Sequence, residues 1–238
     1  MDKQIRLDKF LADMEIGTRT EVKHYIRKGR VKINDSVCIK PEYKVSPTED
    51  KVYFDDRIVE YNRYFYIMLN KPAGVVSATR DNLSTTVLEL LGDKARKDLF
   101  PVGRLDKDTE GLLLISNDGE LAHKLLSPKK HVDKVYYVRV KGYVTEEDKK
   151  AFLQGVDIKD DKPTLPADLE ILRTGEISEA KLCIREGRFH QVKRMFEAVG
   201  KEVIYLKRIS MGSLQLDPNL APGEFRELTK EEIEALKN

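Results

Sequence analysis

Asp106 is the residue of this chain best placed to do chemistry. It stands in Gly103-Arg104-Leu105-Asp106-Lys107-Asp108-Thr109-Glu110-Gly111, a polar turn between two glycines that runs straight into Leu112-Leu113-Leu114-Ile115-Ser116. Such a switch reads as a loop delivering the chain into a buried strand, a rigid mount that can hold a carboxylate against a ligand. Asp108 to Gly111 has ordinary turn composition, and a turn or capping carboxylate is the competing reading of Asp106 itself. Calcium fits poorly. Asp106, Asp108, Glu110 and Gly111 match positions 1, 3, 5 and 6 of an EF-hand loop, but position 12 falls on Asn117, where a bidentate Glu is expected.

A second stretch, Glu186-Gly187-Arg188-Phe189-His190-Gln191-Val192-Lys193-Arg194-Met195-Phe196, carries cations. On a helix from Phe189 to Val199, Val192, Met195, Phe196 and Val199 share one face, and His190, Lys193, Arg194 and Glu197 the other. A cationic face turned to a cleft suits phosphate or carboxylate, and an ordinary amphipathic surface helix fits the pattern equally. In Lys134-Val135-Tyr136-Tyr137-Val138-Arg139-Val140-Lys141 strand alternation turns Tyr136 inward with Val138 and Val140. An inward tyrosine is either core packing or a ring that can stack on a base. There is no Ser-His-Asp order, P-loop or GxGxxG, and His24, His123, His131 and His190 are not at ligand spacing, so neither cofactor nor metal is implied.

The elements that must position these groups fall into two parts, expected at 1–60 and 64–238. In the first, Ile5, Leu7, Phe10, Leu11 and Met14 recur at helical spacing. Thr18 and Glu21 then have capping-box spacing ahead of a second helix that Gly29 stops. Arg19, Lys23, Arg27 and Arg30 are expected on one face of that helix, with Lys32 on the strand that follows. Asp55-Asp56-Arg57 through Arg63 reads as a linker. The second part is expected to hold strands at 64–69, resuming at Val75-Val76-Ser77, then at 112–116, 134–141, 167–172, 177–184 and 202–209. Its helices are expected at 85–92, 119–127, 145–155, 189–199 and 231–236. Strands dominate without a βαβ rhythm, which predicts an α+β fold with a mixed, mainly antiparallel sheet.

The net charge is only +2 over 238 residues, but it is unevenly spread. Arg19 to Lys32 and Lys124 to Lys141 each carry +5, and Arg185 to Arg208 carries +4. That clustering points to a polyanion, with three solvated faces as the plain alternative. No apolar run approaches the roughly 20 residues of a membrane span, and the N-terminus lacks an apolar signal core. Cys38 and Cys183 alone build neither a disulfide framework nor a zinc site, and a reducing cytoplasm is the natural expectation.

The first part resembles the S4-like (alpha-L) RNA-binding domain, on Arg6-Leu7-Asp8-Lys9-Phe10-Leu11 and on Val22, Ile26 and Gly29 to Asn34. Four ordered motifs, Met68 to Gly74, Gly103 to Leu113, Lys134-Val135-Tyr136 and Glu186 to Phe196, resemble a pseudouridine synthase of the RsuA type over nearly the whole chain. That resemblance implies site-specific isomerisation of a uridine in 16S ribosomal RNA, expected at uridine 516, by base flipping and without a cofactor. It implies Asp106 as nucleophile, Tyr136 as the ring against the target base, and Lys193 as the cation paired with Asp106 where many relatives carry arginine. Arg104 would fill the gap left by the extruded nucleotide. RNA contacts are expected from Arg19, Lys23, Arg27, Arg30, Lys32, Arg188, His190, Gln191 and Arg194. The expected partner is 16S RNA or a small-subunit assembly intermediate, met by a monomer without membrane contact. The alternatives are a 23S RNA synthase of the same family and a non-catalytic RNA-binding assembly factor.

Overall fold

The computed structural model describes residues 4–62, 64–127 and 130–238. Met1 to Lys3, Arg63 of the expected linker, and Lys129 of the second basic stretch lie outside them. Contacts divide the chain into two compact units, Met1–Arg63 and Tyr64–Asn238.

The first unit runs β1 (Ile5–Arg6), α1 (Leu7–Asp13), α2 (Arg19–Arg27), β2 (Val31–Ile33), β3 (Ser36–Val37), β4 (Lys44–Val45), β5 (Val52–Phe54) and β6 (Arg57–Val59). Its core joins Leu7, Phe10 and Leu11 of α1 to Val22 and Ile26 of α2 and to Val31, Val45 and Val52. The capping box is formed: Thr18 Oγ1 accepts from Glu21 N, and the Glu21 carboxylate accepts from Thr18 N at 2.7 Å. Two expectations are corrected. Helix α2 ends at Arg27 with Gly29 at φ 74°, so Arg30 has left the helix face. Asp55 and Asp56 are not linker. They take φ of 47° and 62°, the geometry of a two-residue hairpin turn, and join β5 to β6. Local turn chemistry outweighs the polar, linker-like composition there.

The second unit is built on β7 (Tyr66–Lys71), β8 (Phe100–Val102), β9 (Glu110–Ser116), α3 (Gly119–Leu126), β10 (Lys134–Lys141), α4 (Glu146–Gln154), β11 (Asp168–Arg173), β12 (Ile177–Ile184), α5 (Gln191–Ala198), β13 (Glu202–Met211), β14 (Leu214–Gln215), β15 (Phe225–Glu227) and α6 (Lys230–Lys237). The strands form one sheet in the order β11-β12-β10-β13-β9-β7-β15, with β14 on β13 and β8 on β9. Among the described strand pairs of this sheet only β13–β9 is parallel, so the mixed, mainly antiparallel α+β expectation holds. Strand β7 starts and ends two residues later than expected. Val75-Val76-Ser77 makes one bridge, Val76 to Thr86, instead of a strand. The helix expected over 85–92 is a 3-10 turn at Glu89–Lys94 broken by Gly92.

Strand β9 is continuously apolar from Leu112 to Ile115 because both its faces are covered there. Leu113 and Ile115 pack with Leu69, Leu105, Tyr136, Val192 and Phe196. Leu112 and Leu114 pack with Met68, Leu125, Met211 and Leu236 on the other side. All four leucine and isoleucine side chains of Leu112 to Ile115 are fully buried. At roughly 1.5–3 kcal/mol each they anchor the strand far more firmly than any exposed ion pair could. Gly111 begins the buried run at φ 100°, and a Cβ there would lie 2.2 Å from Arg208 O on the parallel neighbour. Gly111→Ala is therefore expected to lose roughly 3 kcal/mol and to lower the melting transition of this unit by about 6–12 °C in calorimetry.

Candidate active site

The Asp106 turn joins β8 to β9 and is closed by Thr109 N donating to Asp106 O at 3.1 Å. The segment after β7 holds it. Ser77 Oγ accepts from Leu105 N at 3.0 Å and donates to Leu105 O at 2.9 Å. Gly74 N donates to Lys107 O at 2.7 Å. Lys71 Nζ donates to Thr109 O at 2.8 Å, Pro72 O at 3.0 Å and Lys107 O at 3.3 Å. Three carbonyls match the three protons of an ammonium. The Asp106 carboxylate is thus presented, three-quarters buried, by backbone tied on both flanks.

Lys71 is fully buried. Burial pulls its ammonium down to about 8, against the pull of Asp108, Asp106 and Glu110 in the other direction. Between pH 8 and 10.5 the unfolded chain then binds a proton that the native state releases, so this group makes stability rise with pH through that window. The stability difference between wild type and Lys71→Met is expected to shift in favour of wild type by roughly 3 kcal/mol from pH 8 to 10.5, measured by denaturant titration.

Helix α5 brings cations to the turn. Lys193 Nζ lies 3.4 Å from Asp106 Oδ2 and 2.6 Å from Asp108 Oδ1. The Asp108 contact is shorter, but Asp108 is 71% exposed, so solvent screens it. Lys193 and Asp106 are each 25% exposed, which makes the longer pair the better shielded one. The Lys193 hydrogen bond holds the Asp108 carboxyl below the usual range, against partial burial. The helix begins at Gln191, later than expected, because His190 takes the left-handed conformation at φ 50°. That twist places His190 Nε2 3.6 Å from Asp106 Oδ1 and stacks its ring on Phe189, with centroids 3.8 Å apart. Tyr136 is 7% exposed and packs in the core that includes Leu105 and Val192, the neighbours of Asp106 and Lys193 in sequence. Lys71, Gly111, Arg208 and Tyr136 share one rung across β7, β9, β13 and β10. Arg208 is buried there and donates through Nε to Leu112 O at 2.8 Å. Arg104 is exposed, two residues before Asp106.

Other expected contact residues are occupied by the protein itself. Gln191 is 4% exposed; its amide donates to Glu186 Oε1 and accepts from Arg188 N, both at 3.0 Å. Arg188 donates to Glu186 and to the carbonyls of Lys162 and Pro163, and Arg194 to Asp160, Phe189 O and Ile158 O. Arg188 and Arg194 thus tie loop 158–163 to α5 and the segment before it, while Gln191 is held by Glu186 and Arg188. In the first unit Arg30 pairs with Asp55 and stacks on Tyr25 and Phe54, while Lys32 pairs with Asp56. Arg19 and Lys23 lean towards the fully buried Asp8 carboxylate at 3.9 and 4.0 Å, and Arg27 is exposed. Burial works to raise the Asp8 carboxyl, but the Arg6 fork and the charges around it bring it below the usual range. Lys71, Ser77 and Arg208 received no role in the sequence reading. Lys71 was findable, since alternation from Ile67 and Leu69 turns it to the core face of its strand. Among the described residues no group of His, Cys, Asp and Glu could hold a metal ion.

The sequence matches the family described as RNA pseudouridylate synthase over residues 65–198, and the S4 domain over residues 5–52. It is 48% identical over 235 residues to an uncharacterized RNA pseudouridine synthase, YtzG, of Bacillus subtilis, covering 98% of each chain. The chain belongs to the RNA pseudouridine synthase family. Within that family of pseudouridine synthases it is of the RsuA type. It is 39% identical to the ribosomal small subunit pseudouridine synthase A of Escherichia coli over 96% of this chain and 98% of that one. A crystal structure of a pseudouridylate synthase superposes with a TM-score of 0.69 at 39% identity, covering 98% of this chain and 99% of that chain. As a member of this family the protein is an isomerase acting on RNA. No described helix is long and apolar enough to cross a membrane.

Proposed function

We propose that this synthase converts one uridine of 16S ribosomal RNA to pseudouridine, with Asp106 as nucleophile and uridine 516 as target. The observation that carries the reading is the Asp106 carboxylate, mounted on a doubly clamped turn with Lys193 and His190 against it. The likeness to the small-subunit synthase of E. coli supports the choice of RNA.

In the reaction the N1–C1′ bond of uridine breaks, the base turns, and a C5–C1′ bond forms. C5 loses its proton and N1, freed of the ribose, gains one, so the sum is an isomerisation. The uridine must leave its stack, at a cost of a few kcal/mol. Contacts between phosphates and the exposed basic residues of the first unit, Arg27 foremost, offset that cost. Asp106 attacks uracil C6 or ribose C1′, and in either route an anionic carboxylate oxygen is the nucleophile, with the Lys193 ammonium 3.4 Å away. Tyr136, in the core beside Leu105, is the ring on which the flipped base rests, and Arg104 fills the vacated position. Residues 1–60 supply RNA binding and 64–238 catalysis. In this reading the protein acts as a monomer in the cytoplasm, on 16S RNA or a small-subunit assembly intermediate.

The test is to incubate the purified protein with unmodified 16S and 23S RNA and with small-subunit assembly particles, then map the product. A single new pseudouridine in the small-subunit RNA is expected. Modification confined to 23S RNA would overturn the choice of target, and RNA binding without any isomerisation would overturn the enzymatic reading of this chain.

A further inference from the structure

The two most exposed large apolar side chains among the described residues are Leu83, at 97%, and Phe189, at 71%. Each adjoins a residue that meets the Asp106 turn, Ser84 by a hydrogen bond and His190 by a 3.6 Å approach. Ser84, beside Leu83, accepts from Lys107 Nζ at 3.0 Å. The Leu83 tip is itself ordered, because Asp81 Oδ1 accepts from Leu83 N at 2.9 Å and from Ser84 N at 2.8 Å. Phe189 stacks on His190, whose Nε2 lies 3.6 Å from Asp106, and the exposure of Phe189 leaves its outer ring face open. A backbone twisted to positive φ at a non-glycine residue holds this stack in place.

Apolar side chains at the rim of a site that takes a polyanion need an apolar counterpart. Phosphates and riboses offer none, and the broad apolar faces of RNA are the base planes. When a uridine is flipped out, each base beside it loses a stacking partner, and an apolar side chain can replace that contact. We propose that Phe189 and Leu83 bind the nucleotides flanking the target uridine. Phe189 stacks on one neighbouring base, and Leu83 wedges against the other. The series Asp106, His190, Phe189, base continues the stack one ring outward from the nucleophile. This inference rests on the reading that Asp106 receives a flipped uridine.

The test uses the full-length protein with an RNA fragment containing the mapped uridine, tritiated at C5 so that turnover releases tritium. Phe189→Ala is expected to raise KM about tenfold or more while kcat stays within about threefold, and Phe189→Trp to restore KM. With 2-aminopurine placed on either side of the uridine, Phe189→Ala is expected to change the fluorescence response at one side and Leu83→Ala at the other. Both residues are exposed, so the variants should melt with wild type. Unchanged KM and unchanged fluorescence in the doubly substituted protein would overturn the proposal. If Asp106→Asn is inactive in the same experiment, the nucleophile reading stands while this one falls. An active Asp106→Asn enzyme that still needs Phe189 for KM would separate the two in the opposite sense.

Discussion

Asp106→Asn is expected to bind RNA with near wild-type affinity and to release tritium from 5-tritiated uridine at least about 10⁴-fold more slowly. The amide is nearly isosteric, so the turn closed by Thr109 N and clamped by Ser77 should be kept. What is lost is the anionic oxygen, for which the amide is a poor substitute as nucleophile. The effect should fall on kcat, because the substitution removes a bond made during reaction and leaves the phosphate contacts in place. Tritium release and filter binding on the same preparation measure both quantities. A variant that kept full turnover would remove Asp106 from the role of nucleophile.

Lys193→Ala is expected to lower kcat/KM by about 10²–10³, while Lys193→Arg should remain within about tenfold of wild type. The ammonium spans two carboxylates, Asp106 at 3.4 Å and Asp108 at 2.6 Å. Without it, two anions of one turn lose the cation they share, and His190 remains 3.6 Å from Asp106. A guanidinium can bridge the same pair through two nitrogens, which is why arginine should rescue. The Asp108 carboxyl, held low first by the Lys193 hydrogen bond, should return towards the ordinary carboxylate range in Lys193→Ala, and a carbon-13 titration reads that directly. Folding stability should change little, since Asp108 is 71% exposed. Equal rates for Lys193→Ala and wild type would show that the pair is structural.

Much of this site was legible in the residue order because its parts are local. Periodicity located β9 and β10, the turn chemistry of Gly103 to Gly111 located the loop, and the inward parity of Tyr136 follows from alternation alone. Strand 112–116 reads correctly since four consecutive aliphatic side chains can be buried only if both sheet faces are covered. The failures are also physical. Asp55 and Asp56 have linker composition, but a two-residue hairpin accepts such residues at positive φ. Arg188 and Arg194 look like ligand-facing polar groups, yet loop 158–163 returns to take up their hydrogen bonds, and Gln191 is turned inward to Glu186.

The sequence alone determined the two-part organisation, the mainly antiparallel sheet, and a carboxylate carried on a turn ahead of a buried strand, because propensity, alternation and turn chemistry act over a few residues. Tertiary structure alone decided the company Asp106 keeps. Lys193 and His190 arrive from more than eighty residues away, and Lys71 and Ser77 from the preceding segment. The parallel pairing of β13 with β9 decided it too, by putting Arg208 beside Gly111 and Tyr136 on the next strand. Such contacts depend on strand order and register, which are settled by how the whole core packs and not by any local pattern.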